Sequence, residues 1–351
     1  MRDNKHGLAN EDSGSKVTNK ESSEVMASQG QIKYKSALRG TAYGGQAVIE
    51  GVMMRGRYKV AIAVRNPKGE IVVYEDTLSP ALYRSSLTQL PFVRGAVTIW
   101  DALGLGTRAL LWAGQVAMGI EKPEVSRSAG LGLAAVSMGL STGMVFLSPA
   151  AGASGLGRLF GIKNHTLTTI LEGMLRLGLI VGYIYAIGQT KEGTRLFQYH
   201  GAEHKTVNAV EAGAPLTPES VKTFPLEHPR CGTAFLLTVV MISTLVQIVI
   251  GRPRFSVLLL SRLILMPIIA GIAYEYIRFA SQHMDDPLVR AIVAPNLLFQ
   301  RLTTREPDLE QIEVAITAME KVLAGEKSAA SEAEHEIELP VRPISGNGHA
   351  H

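Results

Sequence analysis

GTAFLLTVVMISTLVQIVIG, residues 232–251, contains no charged side chain, and none occurs anywhere between Arg230 and Arg252. About 20 helical residues cross the hydrocarbon core of a bilayer, so this run is long enough to span one. A second charge-free stretch lies between Arg127 and Arg158. These gaps explain why only 19% of the 351 residues are charged while 46% are hydrophobic; soluble domains average about 25% charged. The reading is a membrane protein, mainly α-helical.

Four segments read as transmembrane helices: 129–152, 166–188, 232–251 and 256–278. The second carries Glu172 and Arg176, spaced i,i+4 in the favoured order for a helix ion pair. An unpaired charge in mid-span costs at least ~2.5 kcal/mol, so the pair is expected to face protein, either as interhelical glue or lining a pathway. Arg262 lies near the start of its span and can snorkel. Glu275 closes the same span, in AYEYIRFA.

Four spans put both termini and the connector 189–231 on one side. Loops 153–165 and 252–255 fall opposite with two basic residues each, whereas residues 1–98 hold fourteen Lys and Arg. The imbalance favours cytoplasmic termini. A single cysteine, Cys231, excludes an internal disulfide framework and suits a reducing compartment. The formal charge of +4 is small and its basic residues are dispersed, so nucleic acid is not an expected partner. Residues 1–36 and 325–351 read as disordered polar tails, and the first has no apolar core to serve as a cleaved signal.

Residues 40–95 read as a β-rich cytoplasmic region. KVAIAVRNPKGEIVVYEDTL, 59–78, sets two β-branched runs about a hairpin turn at Asn66–Gly69. Before it, GGQAVIEGVMMRG (44–56) is either a glycine-kinked strand or a ligand-contacting loop bearing Glu50 and Arg55. Residues 96–120 form a long apolar helix with Asp101 and Arg108 on one face, expected to lie in the membrane interface; a true span is the alternative. In the C-terminal region, 279–324, TREPDLE (304–310) starts a helix whose Leu309, Ile312, Ile316, Met319 and Leu323 make a narrow apolar stripe.

FQYHGAEHKTVNAVEAG, 197–213, falls in the cytoplasmic connector and reads as helix from about Arg195 to a Gly213 stop. On that helix His200 and His204 lie one turn apart on one face, with Glu203 beside the second. H-x-x-E-H reverses the order of the H-E-x-x-H zinc motif, in which two histidines hold the metal and the glutamate is a general base. Glu211 is about 10.5 Å further along the axis than His204 and cannot share the ion, while Asn208 is placed to support a ligand. Further ligands are offered by LEHPRCGT (226–233), through His228 and Cys231, and by Glu275 at the same membrane face. Without a metal, the same histidines are an ordinary pair bonded to backbone carbonyls.

GGQAVIEGVMMRG, FQYHGAEHKTVNA, HPRCGTAFLL (228–237) and PNLLFQRLTTREPDLEQIEVAI (295–316) together resemble the YqhQ-like family of bacterial membrane proteins, over about residues 40 to 324. The resemblance implies a metal-dependent enzyme of unassigned function, with His200, Glu203, His204, His228 and Cys231 as its site. The leading expectation is a zinc-dependent hydrolase at the cytoplasmic membrane surface, with Glu203 as base and a membrane-protein or lipid substrate. A non-catalytic scaffold, with a closed structural metal site or none, is the alternative. A transporter built on Glu172, Arg176 and Arg262 is the third.

Overall fold

The computed structural model describes residues 43–78, 90–123, 143–251 and 255–338, with isolated positions between 132 and 140. Four strands, β1 (Gly44–Val48), β2 (Gly51–Arg55), β3 (Lys59–Arg65) and β4 (Ile71–Thr77), form an antiparallel meander in the order β1-β2-β3-β4. The expected hairpin joins β3 and β4, with Gly69 at φ 85° and its N–H donated to the Asn66 carbonyl. GGQAVIEGVMMRG is the β1–β2 hairpin. Its candidate ligand contacts are otherwise engaged: Glu50 accepts from Arg195, and Arg55 lies 3.2 Å from Asp101.

Strand alternation gives the sheet two buried faces. Val52, Met54, Ala61 and Ala63 point to one, and Val48, Met53, Val60, Ile62 and Val64 to the other. The second face is covered by α1 (Val93–Ala117) through Leu105, Ala109, Trp112, Ala113 and Val116. The segment expected in the membrane interface is therefore a helix packed on the sheet, with Asp101 turned to Arg55. Its start is tied to the membrane bundle, where Glu275 accepts from Phe92 N at 3.2 Å and Arg94 Nε at 2.7 Å.

The first face is covered by α4 (Lys191–Ala212) and by α9 (Leu309–Glu338). Ile312, Ile316, Met319 and Leu323 of the predicted stripe are buried there, and only Leu309, 42% exposed, is outside the packing. Helix α9 begins one residue after Asp308, which forms a capping box with Gln311, so TREPD (304–308) precedes the helix rather than starting it. It also runs past Gly325 into the expected tail. Glu326 explains the extension: its carboxylate accepts from Tyr58 N and Lys59 N, closing the β2–β3 turn.

The remaining helices are α2 (Ser148–Leu159), α3 (His165–Gly188), the short α5 (Pro218–Lys222), α6 (Gly232–Ile250), α7 (Phe255–Gln282) and α8 (Pro287–Gln300). Among the described residues three are apolar and long enough to cross a membrane: His165–Gly188, Gly232–Ile250 and the Ile264–Gln282 part of α7. The span expected at 129–152 lies largely outside the described residues; its described end is a π-helical turn, Gly143–Leu147, leading into α2. The Arg262 side chain is also outside them.

Inside this bundle Arg176 donates to Glu172 Oε1 at 2.8 Å, Ser243 Oγ at 3.0 Å and the Val145 carbonyl at 3.1 Å, so it joins α3 to α6 and to the π turn. Arg176 and Glu172 are 0% and 1% exposed. Removing one partner takes a counter-charge from a buried group, whereas removing both does not. Glu172→Ala is expected to cost about 3–5 kcal/mol, and Glu172→Leu with Arg176→Leu close to nothing, in unfolding of the detergent-solubilised protein. Equal losses from both variants would mean that the pair itself, not the charge imbalance left by the single substitution, sets the stability.

Candidate metal centre

Helix α4 starts at a Thr190 cap, whose hydroxyl accepts from Gly193 N, and ends at Gly213 in the left-handed conformation. It is unbroken, so His200 and His204 stack one turn apart with ring centroids 4.4 Å from each other. Two irregular segments lie against it. Thr303–Pro307 runs over Gly201, where a Cβ would stand 2.1 Å from the Arg305 carbonyl oxygen; only glycine allows this approach. The loop 223–230 runs along the other side.

These segments supply the acceptors that orient the imidazoles. His200 Nδ1 lies 2.9 Å from the Thr303 carbonyl, and His204 Nδ1 sits on the Leu226 carbonyl. A carbonyl only accepts, so each Nδ1 carries the proton and each Nε2 keeps a lone pair. His200 Nε2 points to Cys231 Sγ at 3.3 Å, and Sγ also contacts Thr233 Oγ1 at 2.8 Å. His204 is 1% exposed and its Nε2 has no hydrogen-bond partner. A ring nitrogen of each histidine and the cysteine sulfur all lie within 4.8 Å of one another, close enough to hold one ion.

The donor set fits a divalent metal on this chemistry. Two imidazoles with fixed tautomers and one thiol converge, and a buried nitrogen lone pair would otherwise go unused. His228 and Glu275 are not in this group. The ring of His228 stands 5.8 Å from that of His204, with its Nε2 3.6 Å from Glu211 Oε2. Glu275 is held by Arg94 and Phe92, an attachment 181 residues away in sequence that its place at the end of a span did not reveal.

Glu203 is buried beside the group, with Oε2 4.0 Å from His200 Nε2. Burial pushes its carboxyl up to about 7, against the opposing pull of His200 and of a hydrogen bond from Gly45 N in β1. Gly45 is required here too, since a Cβ would meet Glu203 Cγ at 2.9 Å and the Met53 carbonyl at 2.4 Å. Glu211 behaves oppositely. Burial raises it, but His228 and Arg230 outweigh that and hold it below the usual carboxylate range. Burial also lowers His228, keeping that imidazole neutral.

Lys205 and Gln300 frame the site and carried no functional signal in the sequence. Lys205 Nζ donates to the Lys222 and Phe224 carbonyls at 2.8 and 2.7 Å and pairs with Glu306 at 2.9 Å. Asn208 does not touch a histidine; it donates to the Pro225 and Glu227 carbonyls at 3.0 and 3.2 Å. Together they pin the loop that presents the Leu226 carbonyl. Gln300 grips both backbone groups of His228, accepting from N at 2.9 Å and donating to O at 2.8 Å.

Residues 90–325 match the family described as "Protein of unknown function (DUF1385)". The chain is 31% identical over 296 residues to "Uncharacterized protein YqhQ" of Bacillus subtilis (strain 168), an alignment covering 80% of this chain and 92% of that protein. No solved structure matches. The chain belongs to the DUF1385 family.

The shifted carboxyl makes a prediction. A carboxyl whose folded pKa exceeds its unfolded value binds more protons in the folded state, so stability falls as the pH rises between the two. For Glu203 that window runs from about 4.5 to about 7. Metal-free protein should lose thermal stability across it, and Glu203→Gln should flatten the profile. A bound cation, which favours the carboxylate, should flatten it as well. An unchanged slope in the Gln variant would remove Glu203 as the titrating group.

Proposed function

We propose that this member of the DUF1385 family is a metal-dependent hydrolase at the cytoplasmic face of the bacterial inner membrane. A divalent ion, best matched by zinc, is held by His200, His204 and Cys231. One observation carries the reading. Both histidines give their Nδ1 protons to backbone carbonyls, His200 Nε2 faces the Cys231 thiol, and a ring nitrogen of each histidine lies within 4.8 Å of that sulfur.

Two imidazoles and a thiol are donors that suit zinc. Three ligands leave a coordination position free, and this supports a catalytic site over the closed one a scaffold would carry. When bound, the ion supplies Lewis acidity and lowers the pKa of water. Glu203 is the general base. Its carboxyl is buried next to the group and titrates near neutrality, where proton uptake and return are both accessible. Glu211 is held ionised by Arg230, so it is not suited to that role. His228 stands behind His204, its backbone clamped by Gln300, and closes the inner wall.

The membrane location rests on three apolar helices, one of which begins at the Cys231 cap. The basic-residue imbalance supports cytoplasmic termini, and the resemblance to a family of bacterial membrane proteins supports the inner membrane. Glu172 and Arg176 pair inside the bundle, with Arg176 also donating to Ser243 and the Val145 carbonyl, and in the hydrolase reading they brace the helices.

The deciding measurement is the metal content of detergent-purified protein, wild type beside a His200→Ala/His204→Ala double variant. Near-stoichiometric zinc in the wild type, lost from a still-folded variant, is expected. Glu203→Gln should keep its zinc. Wild-type protein that stays empty after zinc is offered would leave the histidines as a helix-packing pair and make the scaffold the better reading.

A further inference from the structure

We propose that Thr233 is a positioning residue for the metal centre: its hydroxyl donates a hydrogen bond to the Cys231 sulfur, aims that sulfur at the histidines and tempers the charge it gives to the ion. This deepens the hydrolase reading and rests on it.

His200, Thr303, Thr233 and Cys231 close a ring of contacts. His200 Nδ1 donates to the Thr303 carbonyl at 2.9 Å, and Thr303 Oγ1 lies 3.4 Å from Thr233 Oγ1. Thr233 Oγ1 lies 2.8 Å from Cys231 Sγ, which is 3.3 Å from His200 Nε2. Cys231 and Thr303 are 6% and 4% exposed, so water competes little for these groups.

Proton counting gives the ring a direction. The Gln300 carbonyl has two lone pairs and already faces Thr303 N, Thr304 N and Thr304 Oγ1, each at 2.9 Å. Thr303 Oγ1 stands 3.1 Å from it as a fourth and more distant donor. The Thr303 hydroxyl proton is better placed on Thr233 Oγ1, which leaves the Thr233 proton for Cys231 Sγ. A sulfur that ligates a metal is a thiolate and only accepts. The crowding at Gln300 therefore sets the direction that a thiolate needs.

The start of α6 explains why this hydroxyl is free for the task. Inside a helix a threonine hydroxyl can turn back to the carbonyl four residues earlier. Thr206, Thr238 and Thr244 do so, on Ala202, Ala234 and Val240. Thr233 is the second residue of α6, with no helical turn before it. Cys231 caps α6 without a side-chain hydrogen bond to the helix backbone. The thiol and the hydroxyl, neither of them used by the helix, face each other. A hydrogen bond to a ligating sulfur fixes its orientation and draws electron density from it. Thr233 thereby keeps an ion held by Cys231 strongly electron-accepting, which suits activation of water.

The test uses full-length protein in detergent, loaded with cobalt(II), whose sulfur-to-metal charge-transfer absorption reports on the thiolate. Loss of a hydrogen bond raises the energy of the sulfur lone pair and moves that band to lower energy. Thr233→Val is expected to shift the band in this sense with the ligand-field bands unchanged. It should also weaken cobalt binding about tenfold, while Thr233→Ser restores both band and affinity. Thr233→Ala, which also lacks the hydroxyl, supplies the same contrast if the valine variant does not fold. A band unmoved in the hydroxyl-free variants, or a serine variant that behaves like them, would overturn the proposal. Cobalt bound with no sulfur band in wild type would overturn it too, by removing Cys231 from the ligands. Protein that binds neither cobalt nor zinc defeats the metal-dependent reading itself, so the two failures are separable.

Discussion

The site depends on two hydrogen bonds, from the imidazoles of His200 and His204 to the carbonyls of Thr303 and Leu226. An imidazole presents one chosen nitrogen to a metal only when the other has a fixed acceptor. α4 cannot supply that acceptor from its own backbone, whose carbonyls are committed to the helix. The chain therefore brings two irregular segments against α4, one from the connector and one from about a hundred residues downstream. Irregular backbone beside a buried helix face has carbonyls that must be satisfied. Lys205 and Asn208 meet this need with four donated hydrogen bonds. A buried ammonium is tolerable here because all three of its protons have acceptors, the third being Glu306.

Electrostatics separates two carboxyls of the same helix face. Glu211 is only half buried and has Arg230 as partner, so its charge is held. Glu203, eight residues earlier, has His200 and the Gly45 N–H as its polar neighbours, and neither repays the loss of water. A carboxyl left in that state pulls toward neutrality or toward a cation. A metal on the neighbouring ligands would provide the cation, so the same burial that disfavours charge in the empty protein tunes a base in the loaded one.

Much of this was legible where the signal is local. The i,i+4 histidines, the Gly213 stop of α4, the β3–β4 hairpin and the stripe of α9 all follow from signals within one element, whereas α4 starts at Lys191, earlier than the expected Arg195. Cys231 was found because it stands at the entrance to a charge-free run. The misplacements share a cause in long-range pairing. Glu275 sits at the right end of its span but is claimed by Arg94, and residues after Gly325 remain helical because Glu326 caps a turn 268 residues away. The run from Asn296 to Thr303 was visible only as a resemblance. Its working parts are a backbone carbonyl and a glutamine that grips backbone, neither of which has a sequence signature of its own.

Cys231 ties the centre to the membrane. It is the cap residue of α6, and α6 is braced below it by Asn296 on Thr238 and by Arg176 on Ser243. The histidines belong to a helix whose other face is packed on the sheet. One candidate ligand thus comes from the bundle and two from the sheet module, while α8 bonds Thr238 of α6 through Asn296 and the backbone of His228 through Gln300. A sulfur 3.3 Å from an imidazole nitrogen cannot shift by an ångström without changing what the group can hold. The grouping of these three side chains therefore depends on how the bundle and the sheet module pack together. The buried Arg176 ion pair therefore bears on the site although it touches none of its ligands.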